Sequence, residues 1–309
     1  MSLTLYFAGG GTKEVSDYMN NMGCDRLYSQ LLDRKAISNQ IEAIKNNNSG
    51  KLFIDSGAYT AHTKGTKIDV DEYINYLNNI HQYCTVYAQV DHIAGRFGQP
   101  KDPKEVEAAP GISWENYNYM RARLIDYNKL IPVFHQGEDF KWLINMLETT
   151  YGGEHIPYIG ISCSKDLAWT EWVKWFDEVF NVITNSSNPN VMTHAFGMTS
   201  LKYLKMYPFT SADSTSWLKF AAFGTVLTKL WGGVRISDRA SSDPNHAMNL
   251  SSLDRKVVED YFESEGFNLK DICENTYSRT MCNAKFYKDW VDNYKFERNN
   301  PYKLAKFKF

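Results

Sequence analysis

Cysteine is scarce in this chain: Cys24, Cys84, Cys163, Cys273 and Cys282 are scattered through 309 residues without a Cys-x-x-Cys pair. So odd and dispersed a set excludes a disulfide framework and points to reduced thiols. No run approaches the roughly 18 apolar residues of a membrane span, and the opening MSLTLYFAGG lacks the basic start and long apolar centre of a secretory signal. A soluble, intracellular protein with no membrane partner is therefore expected. Charge of one sign is missing as well, since 34 Lys and Arg meet 36 Asp and Glu for a net of −2, which taken whole argues against a nucleic-acid partner. Although His62, His92, His135 and His194 invite a metal-hydrolase reading, no His-x-His pair stands among them, and no metal or cofactor is expected. His92 and His135 each adjoin an acidic or amide residue and are read as orienting it.

What remains is globular material, 43% hydrophobic and 23% charged, ample for one large core. The length suits two domains of ~150 residues or one α/β barrel of ~250 residues with an addition. Charge is also unevenly spread. From Arg279 to Phe309 eight cations face three acids, a balance of +5, so the other 278 residues carry −7. Phe286, Tyr287, Trp290, Tyr294, Phe296, Tyr302, Phe307 and Phe309 are threaded through the same stretch. Cations with aromatics suit phosphate contact and base stacking. The same pattern also fits a terminal helix whose aromatics pack on the core and whose lysines face water.

Short β-rich runs alternate with amphipathic stretches, the pattern of βα units around a parallel sheet. Eight strands are expected: Leu3–Phe7, Leu52–Ile54, Thr85–Val90, Leu130–Phe134, Tyr158–Ile161, Val191–His194, Phe209–Ala212 and Val234–Ile236. Helical spacing runs through Val70–His81, Trp114–Tyr127, Phe140–Thr149, Thr170–Thr184 and Trp217–Phe223, and again through Leu253–Glu265 behind a Ser251 or Ser252 cap. The expected fold is an α/β, TIM-type (β/α)8 barrel over residues 1–240, with a C-terminal helical, basic-aromatic appendage over 241–309. An open doubly wound sheet is the alternative, but Gly9-Gly10-Gly11-Thr12 matches its phosphate turn only weakly.

In a parallel barrel, groups that do chemistry gather where strands end. Three of these ends are acidic: Asp55 in FIDSGAY, Asp91 in YAQVDH and Asp213 in FTSADSTSW. Between them the strands end in Phe134-His-Gln-Gly137, Tyr158-Ile-Gly-Ile-Ser162 and Thr193-His-Ala-Phe-Gly197. A single such aspartate is often a helix cap, but converging carboxylates can divide labour, one staying ionised while another handles protons. That arrangement suits chemistry at an anomeric carbon, where a carboxylate can capture an oxocarbenium-like centre. Gly57, Gly137, Gly160 and Gly197 would let a flat ligand approach the backbone, and Gln136 could read a base edge through its amide.

In order, DSGAY, VDH, HQG, YIGIS, HAFG and SADS resemble the motifs of the tRNA-guanine transglycosylase superfamily over Phe53 to Trp217. The resemblance implies a pentosyltransferase that exchanges guanine for a 7-deazaguanine through a covalent aspartyl-sugar intermediate. On that reading Asp213 is the nucleophile and Asp55 the general acid and base, with Ser56 beside it contacting the base or holding the loop. Asp91, Gln136 and the Gly160 N–H would read the base, with Gly137 in the same turn, while Phe196 and Gly197 would lie against its face. Cys273 and Cys282 stand nine apart without a third cysteine, and His246 lies upstream, so the zinc pattern of the tRNA enzymes does not fit. SGAY in place of SGGF, the phrase SADSTSW and the lack of an added RNA-binding domain resemble instead the virus-associated branch that modifies DNA. DNA is therefore the expected polymer and tRNA the alternative, each with a free 7-deazaguanine base such as preQ0; a homodimer is compatible, and a virus-encoded chain would work in the host cytoplasm. A non-catalytic nucleic-acid-binding barrel is the other class. The backbone would be held by Arg235, Arg239, Lys285, Lys288, Lys303 and Lys306, helped by Lys64, Lys67, Arg96 and Lys101.

Overall fold

Runs such as Leu5-Tyr6-Phe7-Ala8 and Leu52-Phe53-Ile54 are apolar at every position, as strands buried on both faces must be. The computed structural model describes residues 2–294 apart from 48, 164–167, 199 and 245. Its parallel sheet begins with β1 (Thr4–Ala8), β2 (Asp25–Ser29), β3 (Leu52–Asp55), β4 (Val86–Ala88), β5 (Leu130–Ile131) and β6 (Val133–His135). A small antiparallel hairpin follows, β7 (Thr150–Tyr151) with β8 (Glu154–His155), before the sheet resumes with β9 (Tyr158–Ser162), β10 (Met192–Phe196) and β11 (Ser211–Ser214).

Hydrogen bonding orders the sheet β5-β4-β3-β2-β1-β11-β10-β9-β6. Its two ends, β5 and β6, are one stretch of chain interrupted at Pro132, which has no N–H to donate. On one side Ile131 O accepts from Gln89 N at 3.2 Å, and on the other Pro132 O accepts from Gly160 N at 2.7 Å. The ring therefore closes as an eight-stranded barrel with helices around it, and the open sheet is excluded.

Those helices are α1 (Lys13–Asn21), α2 (Arg34–Lys45), α3 (Ala58–Thr63), α4 (Val70–Ile80), α5 (Pro103–Arg121), α6 (Lys141–Glu148), α7 (Trp169–Thr184), α8 (Leu201–Met206) and α9 (Ser216–Ala222). Local chemistry starts several of them: Asp69 Oδ1 accepts from Glu72 N at 3.0 Å, and Asp102 Oδ1 from Lys104 N at 2.9 Å ahead of Pro103. That second start opens α5 eleven residues before the apolar periodicity becomes visible at Trp114, and Pro110 lies inside the helix.

Two of the expected strand assignments differ. Asp25–Ser29 is a barrel strand although its pattern is polar, because Arg26 is fully buried on the outer face. There its Nη2 donates to Gly9 O at 2.9 Å, and its guanidinium lies over Tyr28 and Trp217 at 4.9 and 5.7 Å from the ring centroids. Val234–Ile236 is no barrel strand: β12 (Thr225–Thr228) and β13 (Gly232–Arg235) form an antiparallel hairpin outside the ring. The total of eight survives because the two differences cancel.

With a period of two, alternate residues face inward. Tyr6, Ala8, Leu27, Phe53, Val86, Ala88, Ile131 and Tyr158 fill the barrel, whereas Phe7, Tyr28, Ile54, Tyr87, Phe134 and Ile159 meet the helices. By the same count Asp55, His194, Phe196, Ser211 and Asp213 point inward, the aspartates in the layer nearest the strand ends.

Beyond the hairpin, α10 (Ser252–Ser264), α11 (Leu269–Glu274) and α12 (Thr276–Asp292) bury a second apolar cluster containing Val226, Ile236, Phe262, Ile272 and Cys282. From there α12 returns to the barrel. Ala284, Tyr287 and Val291 join the main core, and Phe286, Trp290 and Tyr294 pack against it. No described helix is long and apolar enough to cross a membrane.

Candidate active site

Asp55, Asp91 and Asp213 come together at the C-terminal mouth of the barrel, near enough for each of the other two to raise the pKa of Asp55. Asp55 is the last residue of β3 and its Oδ2 accepts from Gly57 N at 2.9 Å. Gly57 is needed in that turn: its φ is +82°, and a Cβ would fall 2.6 Å from Ser29 Oγ and 2.8 Å from Leu31 Cβ. Burial lifts the Asp55 carboxyl, the Gly57 N–H opposes it, and the charges of Asp213 and Asp91 lift it further, to about 7. A group poised there can give and take a proton at neutral pH. Ser56 is buried beneath the turn.

Asp213 is 7% exposed, inward-facing on β11. Its Oδ1 accepts from Gly197 N at 2.9 Å and lies 3.2 Å from His194 Nε2. Gly197 therefore holds the carboxylate. Phe196, half-buried at the mouth, lies edge-on to His194 with centroids 4.4 Å apart and covers Gly160. This is where a residue packed against a base face is expected. Gly160 itself serves otherwise than expected: its N–H is spent on Pro132 O, and a Cβ there would meet the Phe196 ring at 2.5 Å. Its place is explained by clearance and barrel closure, not by a free N–H.

On the opposite side of the mouth Asp91 Oδ1 accepts from Gln89 Nε2 at 2.6 Å, and its Oδ2 lies 3.3 Å from His135 Nε2. The other ring nitrogen, Nδ1, lies 3.2 Å from Glu138 Oε1, whose partner oxygen Oε2 takes the His135 backbone N–H at 3.1 Å. Burial disfavours charge on this imidazole, but the two carboxylates outweigh it and raise its pKa to about 10. His135 is thus a cation clamped between two acids. Gln136 is half-buried, its backbone N donating to Ser162 O at 2.8 Å, and the exposed Gly137 beside it takes φ +98°. His92 is exposed, and its backbone N donates to Ser113 Oγ at 2.8 Å.

Sequence reasoning leaves out Glu138, Gln89, Ser211, Tyr158 and the contact of His194 with Asp213. Strand periodicity holds a signal for two of them: Ser211 stands two before Asp213 and His194 two before Phe196, so each faces the same interior one layer down. Tyr59, four residues past Asp55, is 68% exposed on the rim, and Phe97 on the next loop is 58% exposed.

The cations expected to grip a polyanion fare differently. Arg235 sits on the outer hairpin paired with Asp243 at 3.3 Å, and Arg239 is exposed in the following turn. Lys285 is shared by Glu265 at 2.8 Å and Asp289 at 2.7 Å, and Lys288 is paired with Asp292. Lys288 and Asp292 also act on Asp25, the first residue of β2. Arg279 is buried, donating to Ala221 O, Ile272 O and Cys273 O. Lys303 and Lys306 lie outside the described residues. Lys64, Lys67, Arg96 and Lys101, on loops at the mouth, are exposed and in no ion pair with a described residue.

Cys273 and Cys282 are buried in the second cluster, where loss of water pushes their thiols up to about 11 and about 12, against the thiolate a metal requires. His246 is buried between Ser237 O and Met248 N. No group of three or more His, Cys, Asp or Glu among the described residues could hold a metal ion. The chain matches no family model and no curated protein, so what this site does must be argued from its geometry.

Proposed function

We propose that this protein is a base-exchange transglycosylase that replaces guanine in DNA with a 7-deazaguanine derivative. One observation carries the reading: Asp213, buried and held from one side, shares a barrel mouth with Asp55, whose pKa is raised to about 7. A buried carboxylate whose second oxygen is engaged by no described residue suits attack on C1′, and a neighbouring carboxyl near neutrality suits transfer of the base proton.

In the first half-reaction the Asp213 Oδ2–C1′ bond forms as the C1′–N9 bond breaks. The bonding pair leaves with guanine, which takes a proton from Asp55. In the second, N9 of the incoming base attacks C1′, the ester bond breaks with its pair returning to Asp213, and the N9 proton passes to Asp55. Asp91, its Oδ2 3.3 Å from His135 Nε2, is an acceptor for ring and exocyclic N–H groups of such a base, and the Gln136 amide carries both a donor and an acceptor. Phe196 and Tyr59 supply flat faces, and a target base must leave its stack to reach a carboxylate inside a barrel.

A non-catalytic binding barrel gives no account of these acids, since carboxylates beside phosphates weaken binding. The test is incorporation of a labelled 7-deazaguanine such as preQ0 into DNA and into tRNA, side by side. Incorporation into DNA, lost in Asp213→Ala, is the expected result; incorporation into tRNA alone would reassign the polymer, and exchange that persists in Asp213→Ala would refute the mechanism.

A further inference from the structure

Behind Asp213 the barrel interior holds a line of polar side chains where a packed barrel has apolar ones. His194 on β10 is paired in register with Ser211 on β11, and both are buried. The His194 Nδ1 meets Ser211 Oγ, which in turn meets the Tyr158 hydroxyl from β9. At the other edge of the ring Nε2 reaches Asp213 Oδ1 at 3.2 Å. Phe53, Tyr6 and Phe196 surround the imidazole.

Counting protons along this line gives it a direction. Among the described residues Ser211 is the hydrogen-bond partner of the buried Tyr158 hydroxyl, so that O–H finds an acceptor only by donating to Ser211 Oγ. Ser211 then donates onward to Nδ1, which makes Nδ1 an acceptor and puts the ring proton on Nε2, facing Asp213. With an imidazolium instead, Nδ1 would donate to Ser211, Ser211 to Tyr158, and the Tyr158 proton would be left buried without an acceptor.

We propose that His194 is a positioning residue for Asp213, its neutral Nε2–H form set by Ser211 and Tyr158, so that Oδ1 is tied down and Oδ2 is the oxygen that attacks. Its kinetic consequence rests on the transglycosylase reading; the tautomer does not. Gly197 N–H and His194 Nε2–H both favour the charged carboxylate, which exists before the first half-reaction and again after the second. Taking one away favours the ester, slows its breakdown and leaves more enzyme in the covalent state.

Two measurements test this. In protein labelled with nitrogen-15 at histidine, one neutral ring carrying its proton on Nε2 at neutral pH should disappear in His194→Gln; a proton on Nδ1, or an imidazolium, overturns the assignment whether or not the protein exchanges bases. In the exchange assay, His194→Ala should lower turnover on the order of ten- to a hundredfold while raising the denaturant-resistant adduct as a fraction of enzyme. Ser211→Ala and Tyr158→Phe should move both quantities the same way by less, and they serve if His194→Ala does not fold. His194→Gln, whose amide nitrogen can replace Nε2, should recover part of the turnover. Turnover and adduct falling together, or neither changing, refutes the positioning role; wild-type protein that exchanges nothing refutes the transglycosylase reading and leaves the tautomer to decide this one.

Discussion

The barrel mouth and helix α12 are both rich in charge, and they treat it in opposite ways. Along α12 the fold cancels what the sequence concentrates: Lys285 and Lys288 face carboxylates, Arg279 feeds backbone carbonyls, and four of the aromatics lie in or against the core. At the mouth Asp55, Asp91 and Asp213 crowd together, and the His135 cation lies beside Asp91. Cancelled charge builds structure; charge left crowded raises the energy of the folded state and persists where a reaction uses it.

Substitutions at each region should separate the two kinds. Asp55→Asn should slow exchange on the order of 10²–10⁴-fold and yet stabilise the fold. The Asp55 pKa is about 7 in the fold against 3.8 as its ordinary value, so the folded state binds the extra proton between those limits and stability falls as pH rises through them. The variant should gain about 1–2 kcal/mol at pH 8 and little at pH 4, read by urea unfolding at both. Arg279→Leu should do the reverse, costing about 3 kcal/mol in the same experiment by leaving buried carbonyls without donors, with no direct effect on the mouth.

His135→Gln tests the cation clamped between Asp91 and Glu138 at the mouth. Its pKa is about 10 in the fold against an ordinary 6.5, so its stabilisation is complete below pH 6.5 and disappears as pH rises toward 10. The variant should lose about 1–2 kcal/mol at pH 6 and almost nothing near pH 10. Smallest of all, Lys288→Ala should change stability by no more than about 0.5 kcal/mol and leave the salt dependence of DNA binding unaltered. Arg96→Ala at the mouth should lower that salt slope by about one; a loss of slope in Lys288→Ala instead would move the polymer to α12.

How far these regions can be read in advance follows from where their partners lie. Asp55, Asp91 and Asp213 are legible because a polar residue closing an apolar run in a βα series falls at a barrel mouth. The cancellation along α12 is only partly so: Asp289 and Asp292 stand four residues after Lys285 and Lys288, but Glu265 and the carbonyl of Ala221 that meets Arg279 come from elsewhere in the chain. For the same reason β2 escapes notice: beside its own Tyr28, Arg26 meets the Gly9 carbonyl that follows β1 and the Trp217 ring of α9, and no local pattern reports those two. Val234–Ile236 errs the other way, with strand-like residues whose pairing partner, Thr225–Thr228, turns it out of the ring. His194 and Ser211 meet only through register, which a single strand does not carry.

The central claim is that Asp213 is the group that bonds to sugar. Protein quenched during exchange with DNA, digested and analysed by peptide mass should carry the nucleotide on the peptide containing Asp213 and on no other. Attachment to a different residue, or ongoing exchange with no attached nucleotide at all, would contradict it.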